Sequence, residues 1–469
     1  MADLLLQQAY NSAMSSNSLY ARKRDRWKFL LDAYLGGEDY RQGAYLTRYQ
    51  LESDAEYAQR LRNTPYDNQP RSLVSLYISF LFREEPDREF MAMEGDPTIE
   101  AILEDADLEG RSMNAFMKEA SIWASVFGHA WICVSKPNVG AQTRAEEIAL
   151  GVRPYLSLLT PLVVTDWRWE RQPNGSFELS YIKYIEEVND SVNVIKEWTK
   201  TEITTTEVNL RDRIATDVYV EPNELGRLPF VCLYAERGPV RGLGMSLIED
   251  TADQARAIYN ELSEVESSIR LDSHPSLVCT ADTNVGTGAG ALIHLPENLD
   301  PALKPYVLEF SGATVDSIYK SIEERKKMID TMASVGSIRV AETREMSGIA
   351  METEMTLLNA RLCSIADNIE LAEEQIWQEV YKYLGVEWDG EIDYPDNFAM
   401  HNTSNELDEL TKLKALSTNP LIQDAIDKRI AEMLDIEQIE MELEDVAKGE
   451  TIITPTGQVL PGANPDVEE

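Results

Sequence analysis

Met355, Leu358, Leu362, Ile365, Ile369, Ala372, Ile376, Val380 and Tyr383 recur in alternating steps of three and four residues. Side chains so spaced share one stripe of an α-helix. The pattern predicts a single rod over 353–384, stopped by Gly385. At 1.5 Å per residue the rod is roughly 45 Å long. A helix of that length must find apolar partners along its whole extent, which commits the chain to a large assembly of elements around it.

Two more helices precede it. Over 246–271, Ile248, Ala252, Ala255, Ile258, Leu262, Val265 and Ile269 recur every three or four residues, and His274-Pro275 ends the run. Ser246 and Glu249 match the S-x-x-E pattern of a capping box. A helix over 314–334 follows. Between the two lies a turn-rich stretch, 275–312, with four prolines between 275 and 305, where SLVCT and ALIHL flank NVGTGAG. Beyond the second helix, VGSIRVAETREMSGI breaks the periodicity around Gly336 and Gly348.

The N-terminal 130 residues read as helical, including two helices around the turn NTPYDNQP and one over 113–127. Residues 129–235 change character. HAWICVS, YLSLLTPLVVTDWRWE, FELSYIKYIEEV, VNVIKEWTKTEITTTEVNL and TDVYVEP are rich in β-branched and aromatic residues, and PNG and EPNELG supply turns. This predicts a lobe of mostly antiparallel strands. After the long rod come the strand-like EIDYPDNFAM, acidic helices over 405–448 and a Pro/Gly-containing tail expected to be flexible. The fold class expected is α+β, mainly helical, with a β-rich lobe.

Charge narrows function. Asp and Glu number 82 against 43 Lys and Arg, a net charge of -39. A protein that grips duplex DNA through its phosphates normally carries the opposite sign. The acidity serves either solubility or a surface that tolerates DNA without holding it. Cys133, Cys232, Cys279 and Cys363 lie far apart in apolar contexts, which predicts buried free thiols in a reducing cytoplasm. No run of 18 apolar residues and no signal-peptide pattern occurs, so neither a membrane span nor export is expected.

Motifs for catalysis are weak. His129, His274, His294 and His401 form no metal-ligand spacing, and neither a Walker A sequence nor a GxSxG elbow occurs. GTGAG at 286–290 lacks the helix that a phosphate loop requires and reads as a hairpin. In GPVRGLGMS, Gly242 and Gly244 make either a tight strand-to-helix turn or an anion site at a helix N-terminus. The cluster ARKRDRWKF sets Arg22, Lys23, Arg24, Arg26 and Lys28 around Trp27. It is read as a solvated face pairing with acids, against the alternative of contact with nucleic acid or a scaffold. Arg325, Lys326 and Lys327 form a second basic patch, with Arg339 and Arg344 beyond it.

Two segments carry a family resemblance. In 34–86, Glu56, Tyr57 and Arg60 precede an N-x-x-R helix start at Asn68 and Arg71 and the ending Phe82, Arg83 and Pro86. In 242–280, a Gly-x-Ser start at Gly244 and Ser246 leads into a helix with Tyr259-Asn260 midway, then a proline and a strand. With the order of elements, this resembles the bacteriophage portal protein family over about residues 20–400. The resemblance implies a portal fold with a wing at 1–242 and 350–400, stem helices at 243–271 and 314–334, and a clip at 272–313. It further implies a tunnel loop at 335–349, a crown at 401–450 and a flexible tail at 451–469.

The implied protein is a structural ring subunit, a dodecamer by resemblance, assembled in the host cytoplasm and set at a capsid vertex of the virion as the head-tail connector. It takes part in genome packaging and DNA ejection. Its implied partners are the terminase large subunit, adaptor and tail proteins, the major capsid protein, the scaffold protein and double-stranded viral DNA. Arg339, Arg344, Arg325, Lys326 and Lys327 are the cations that this map sets beside DNA, for weak and non-specific contact. No catalytic residue, metal or cofactor is implied. The alternatives are another phage connector such as an adaptor or tail-tube protein, an acidic metal-dependent enzyme acting on nucleic acid, or an acidic globular binding protein.

Overall fold

The computed structural model describes residues 2–137, 143–188, 192–273, 276–278, 284–285, 293–294, 300, 306–308, 313–336, 348–398, 412, 414, 452–453 and 459–460. The chain divides into two compact units, Met1–Phe398 and Ala399–Glu469. Helices α1 (Ala2–Ala13), α2 (Ser18–Leu35), α3 (Gly37–Gln42), α4 (Asp54–Asn63) and α5 (Gln69–Leu81) open the first unit. Strand β1 (Asp87–Glu89) and helices α6 (Pro97–Glu104) and α7 (Met113–Phe127) follow. Next come β2 (His129–Ser135), α8 (Arg144–Ala149), β3 (Tyr155–Leu159), β4 (Val164–Arg171), β5 (Phe177–Val188), β6 (Val192–Thr199), β7 (Glu202–Asn209) and β8 (Ile214–Pro222). β9 (Phe230–Tyr234), β10 (Glu236–Arg237) and β11 (Gly244–Met245) lead into α9 (Glu249–Ser273). The unit ends with β12 (Ser276–Val278), β13 (Asn284–Val285), β14 (Ile293–His294), β15 (Tyr306–Leu308), α10 (Ala313–Ala333), α11 (Gly348–Leu384) and β16 (Glu391–Asp393).

The β-rich lobe consists of two antiparallel sheets. β4 to β8 form a five-stranded meander in sequence order, and β3, β2 and β9 form a three-stranded sheet with β2 in the centre. β2 is buried at six of its seven positions, as expected of a strand covered on both faces. Aromatic rings join the sheets: Trp131 lies 6.4 Å from Trp167 and 6.3 Å from Trp169, and Phe230 lies 5.8 Å from Tyr184 and 5.5 Å from Trp198. Outside the meander, Ala13 of α1 packs on Ile195 and Val208. The buried Lys183 ammonium donates to the Ser12 carbonyl and the Ser15 hydroxyl, each at 2.9 Å, and so satisfies the C-terminal end of α1.

α11 spans 37 residues, five more at its N-terminus than the periodicity predicts, because Gly348 opens the helix instead of breaking the chain before it. Leu358, Leu362, Ile365, Ile369, Ala372, Ile376 and Val380 are buried as expected, while Met355 and Tyr383 are half-buried. A second buried line, Glu373, Trp377 and Tyr381, makes the helix two-sided. The Glu373 carboxylate has no exposed surface. It accepts from Arg88 at 2.6 and 3.2 Å, from Trp377 Nε1 at 3.1 Å and from the Tyr394 hydroxyl. This cluster fastens the β1–β16 ladder to the helix.

Several expectations are corrected. Cys133 and Cys232 are buried free thiols, but Cys363 is half-exposed on α11 and its Sγ donates to the Asp396 carbonyl at 2.8 Å; Cys279 lies outside the described residues. Beyond residue 450 the described residues are those of a short ladder, β17 (Ile452–Ile453) with β18 (Val459–Leu460), and the rest of the tail lies outside them. The acidic helices expected over 405–448 lie outside the described residues apart from Lys412 and Lys414, both helical. Among the described residues no helix is long and apolar enough to cross a membrane.

Removing one member of a buried ion pair strands the other without compensation, at about 3–5 kcal/mol. Arg88→Ala should therefore lower unfolding stability by about that amount, read as a shift of the urea midpoint. A shift worth less than about 1 kcal/mol would show that Glu373 is satisfied without its arginine.

Candidate functional site

The two helices α9 and α10 form an antiparallel pair whose ends are linked through two small ladders, β12 with β15 and β13 with β14. β13 and β14 pair as Asn284 with His294 and Val285 with Ile293, while GTGAG between them lies outside the described residues. One apolar seam joins the helices: Ile258, Val265, Ile322 and Ile329 are buried, with Leu262, Val315 and Ile318 packed beside them. Polar bonds reinforce it. The Glu261 carboxylate accepts from Arg325 at 2.9 Å and from the Ser321 hydroxyl at 2.8 Å, and Arg325 also donates to Gln254 at 3.0 Å.

A glycine junction sets the direction of α9. The backbones of Gly128 and Gly244 approach so closely that a Cβ on Gly244 would lie 1.9 Å from the Gly128 carbonyl oxygen. Gly128 sits at φ +95°, where side chains are strained. GPVRGLGMS is thus a tight turn, closed by the β10–β11 ladder and a Gly242 N–H to Tyr234 hydroxyl bond of 2.8 Å. The capping box expected at Ser246 and Glu249 does not form. Ser246 Oγ donates to the Val126 carbonyl at 2.7 Å, and Glu249 instead accepts from Arg26 at 2.8 Å. His129 is fully buried here, its Nδ1 accepting the Gly244 N–H at 3.4 Å, and burial lowers its pKa to about 3.

Among the residues that carry the family resemblance, Arg60, Tyr259 and Asn260 brace α9 against the N-terminal part of the chain. Arg60 chelates Glu52 at 2.8 and 2.9 Å, donates to Ser263 Oγ at 2.9 Å and stacks 3.9 Å from the Tyr49 ring centre. Its guanidinium holds the Glu52 carboxyl below the usual carboxylate range. Glu56 completes a capping box with Ser53, the Tyr57 hydroxyl donates to the Leu46 carbonyl, and Asn68 caps α5. The Asn260 side chain accepts the Thr47 N–H at 2.7 Å and donates to the Tyr45 carbonyl, while buried Tyr259 meets the rings of Tyr40 and Tyr66. These residues work as braces, and none of them meets another to form a catalytic cluster.

The cations singled out by sequence are distributed unevenly. Arg325 is bound to Glu261, Lys326 to Asp67 at 2.8 Å and Lys327 to Glu324. Arg339 and Arg344 lie outside the described residues, as do positions 337–347 generally. In the basic cluster at 21–29, Arg26 spans Glu249 and Asp253 on α9, in line with the ion-pairing reading; Arg22, Lys23, Arg24 and Lys28 are exposed. Among the described residues no group of three or more His, Cys, Asp or Glu side chains could hold a metal ion. Val335 is buried and bonded to the Asp330 carbonyl, so it closes α10 and does not belong to a free loop.

Apolar side chains remain uncovered along the pair. Tyr319, Met328 and Met332 on α10 and Ile269 on α9 are each more than 40% exposed. Nine residues, or 2.5 turns at 3.6 per turn, separate Tyr319 from Met328, so the two lie on opposite flanks of the seam containing Ile322 and Ile329.

No family model matches the chain. An acetate kinase from Geobacillus kaustophilus (strain HTA426) is 24% identical over 149 residues, 27% of this chain and 36% of that enzyme. The chain thus spans about a third of the length of that relative. Among solved structures, the fold is similar to a chain from the neck of an empty gene transfer agent (GTA) particle, computed with C6 symmetry. That chain has a TM-score of 0.48 and 11% identity, over 84% of this chain and 99% of the other. A chain from the virion of a native GTA particle has a TM-score of 0.43 and 10% identity over 85% and 98% of the two chains. One from the neck of a native GTA particle, computed with C12 symmetry, has a TM-score of 0.44 and 10% identity over 84% and 98%. All three scores fall below 0.5, and none of these chains lends its setting to this one.

The folded-state pKa of His129, about 3, is below the unfolded value of about 6.5, so the unfolded chain binds the extra proton. Stability is therefore lost as pH falls from 6.5 towards 3, by up to about 1.4 kcal/mol per pH unit. Between pH 7 and pH 5 the wild type should lose about 2 kcal/mol that His129→Gln keeps, measured by urea unfolding at each pH. Parallel pH profiles would contradict the buried, neutral state of this imidazole.

Proposed function

We propose that the chain is the subunit of a portal ring, a homo-oligomer that walls a channel for double-stranded DNA at a capsid vertex. The observation that carries the reading is the α9–α10 pair, with its one internal seam and its uncovered apolar side chains on both flanks. In a closed ring each subunit meets two neighbours through two different surfaces. Tyr319 on one flank and Met328 and Met332 on the other supply such surfaces. Met328 and Met332, one turn apart on α10, make an adjacent exposed apolar pair on one flank.

Charge supports the same reading. α9 carries seven carboxylates against two arginines. A wall of that sign repels phosphate at close range, so DNA would slide along it without being held. Any attraction would fall to Arg339 and Arg344 in the tunnel-loop segment between Val335 and Gly348, since Arg325, Lys326 and Lys327 already have carboxylate partners. In this reading the short ladders between 276 and 308 are the clip that meets adaptor and tail proteins. The terminase large subunit, the major capsid protein and the scaffold protein are further partners, and the chain hydrolyses nothing.

Two measurements follow. Tyr319→Glu and Met328→Glu change exposed positions, so the fold should survive, but a charge buried between neighbours should abolish the ring. Sedimentation velocity should then report a monomer of 53.0 kDa in place of the ring. Rings that persist in both variants would overturn the assignment of these flanks. Substituting Arg339 and Arg344 with Ala should impair DNA packaging while leaving rings intact; failed ring assembly would place the two arginines in the subunit interface instead.

A further inference from the structure

A groove of about 350 Å³ lies between the five-stranded sheet, β9 and α11. Trp169, Phe177, Phe230, Leu371 and Ala372 make its apolar lining. Its rim carries Arg237, Arg241 and the amides of Asn368, Gln375 and Gln378. The two arginines rest on rings. The Arg241 guanidinium is 4.1 Å from the centre of the Phe177 ring and that of Arg237 is 5.6 Å from Tyr234. Among the described residues neither forms an ion pair, although acids outnumber bases 82 to 43 in the chain. Glu236, next to Arg237 in sequence, is engaged by Arg361.

The rim is built, not incidental. The Arg241 carbonyl accepts from Trp167 Nε1 at 3.2 Å, and the adjoining Gly242 stands at φ +78° against the Trp167 ring, with no room for a Cβ. The backbone that presents Arg241 is therefore fixed. Trp169 Nε1 is buried beside the groove and has no acceptor. The two exposed guanidiniums have no acid partner among the described residues, and a carboxylate supplied from outside would pair with both. Meanwhile Phe177 and Leu371 are 42% and 48% exposed and lack an apolar cover.

We propose that this groove docks a peptide segment of a partner protein, with a carboxylate side chain set between Arg237 and Arg241 and an apolar side chain laid on Phe177 and Leu371. A guanidinium stacked on a ring keeps its N–H edge free for two-point binding of a carboxylate. Gln375 and Gln378, one turn apart on α11, can bond a peptide backbone. A nucleic acid strand would bring a charge on every residue into the field of a chain of net charge -39. Docking is non-covalent, since burial pushes the neighbouring Cys232 thiol up to about 12. The proposal stands independently of the ring.

The test is fluorescence anisotropy of the intact protein with a fluorescein-labelled hexapeptide of alternating leucine and glutamate. Saturable binding is expected, at least tenfold weaker for the leucine–glutamine counterpart. It should weaken at least tenfold in the variant Arg237→Gln with Arg241→Gln, and also in Leu371→Ser, with circular dichroism unchanged in both. Absence of saturable binding at millimolar peptide, or equal affinity in wild type and variants, would overturn the proposal. So would tighter binding of a labelled oligothymidylate than of the peptide, which would make the groove a phosphate-backbone site.

Discussion

Ile258, Val265, Ile322 and Ile329 form the seam on which the functional reading rests. Four fully buried side chains are few for helices of 25 and 21 residues. An isolated helix pair with so narrow a seam is marginal in water, because most helical stability comes from tertiary packing of an apolar face. The pair is therefore anchored elsewhere. The N-terminal half of α9 is fixed by the glycine contact of Gly128 with Gly244, by Arg26 on Glu249 and Asp253, and by the Arg60 and Asn260 braces. The Tyr77 hydroxyl donates to the Ala333 carbonyl at 2.6 Å and anchors the last turn of α10. With those ends fixed, the flanks between them are free to meet other chains.

Electrostatics acts on two scales. Locally, the acidic excess is absorbed where it braces the fold: Glu52, Glu249, Glu261, Glu373 and Glu379 each hold an arginine. Globally, the remaining carboxylates leave α9 strongly negative. At the groove, Arg237 and Arg241 rest on aromatic rings and form no ion pair among the described residues.

Much of the architecture was legible from periodicity. Helix 113–127 and strand 129–135 match their expected limits, because Gly128 and the switch from a 3.6 to a 2.0 period both mark the boundary. The long rod was legible for the same reason, and its first five residues were not, because Gly348 stands at the helix start, where a glycine interrupts no interior turn. The capping box at Ser246 misled because the partner that takes Glu249, Arg26, lies 223 residues away in sequence. The same holds for the basic patch. Only the Lys327–Glu324 pair is local, whereas Asp67 and Glu261 reach Lys326 and Arg325 through the fold. The groove was least legible of all, since its walls come from the sheet, the GPVRGLG turn and α11, segments with no common sequence signal.

In the portal reading, the α9–α10 pair walls a pore shared by many copies. An electron-microscopic image of the purified full-length protein, taken together with the particle mass, tests this most directly. End-on rings with a central hole and a mass that is a whole multiple of 53.0 kDa are expected. A single 53.0 kDa particle that persists at high concentration would contradict it.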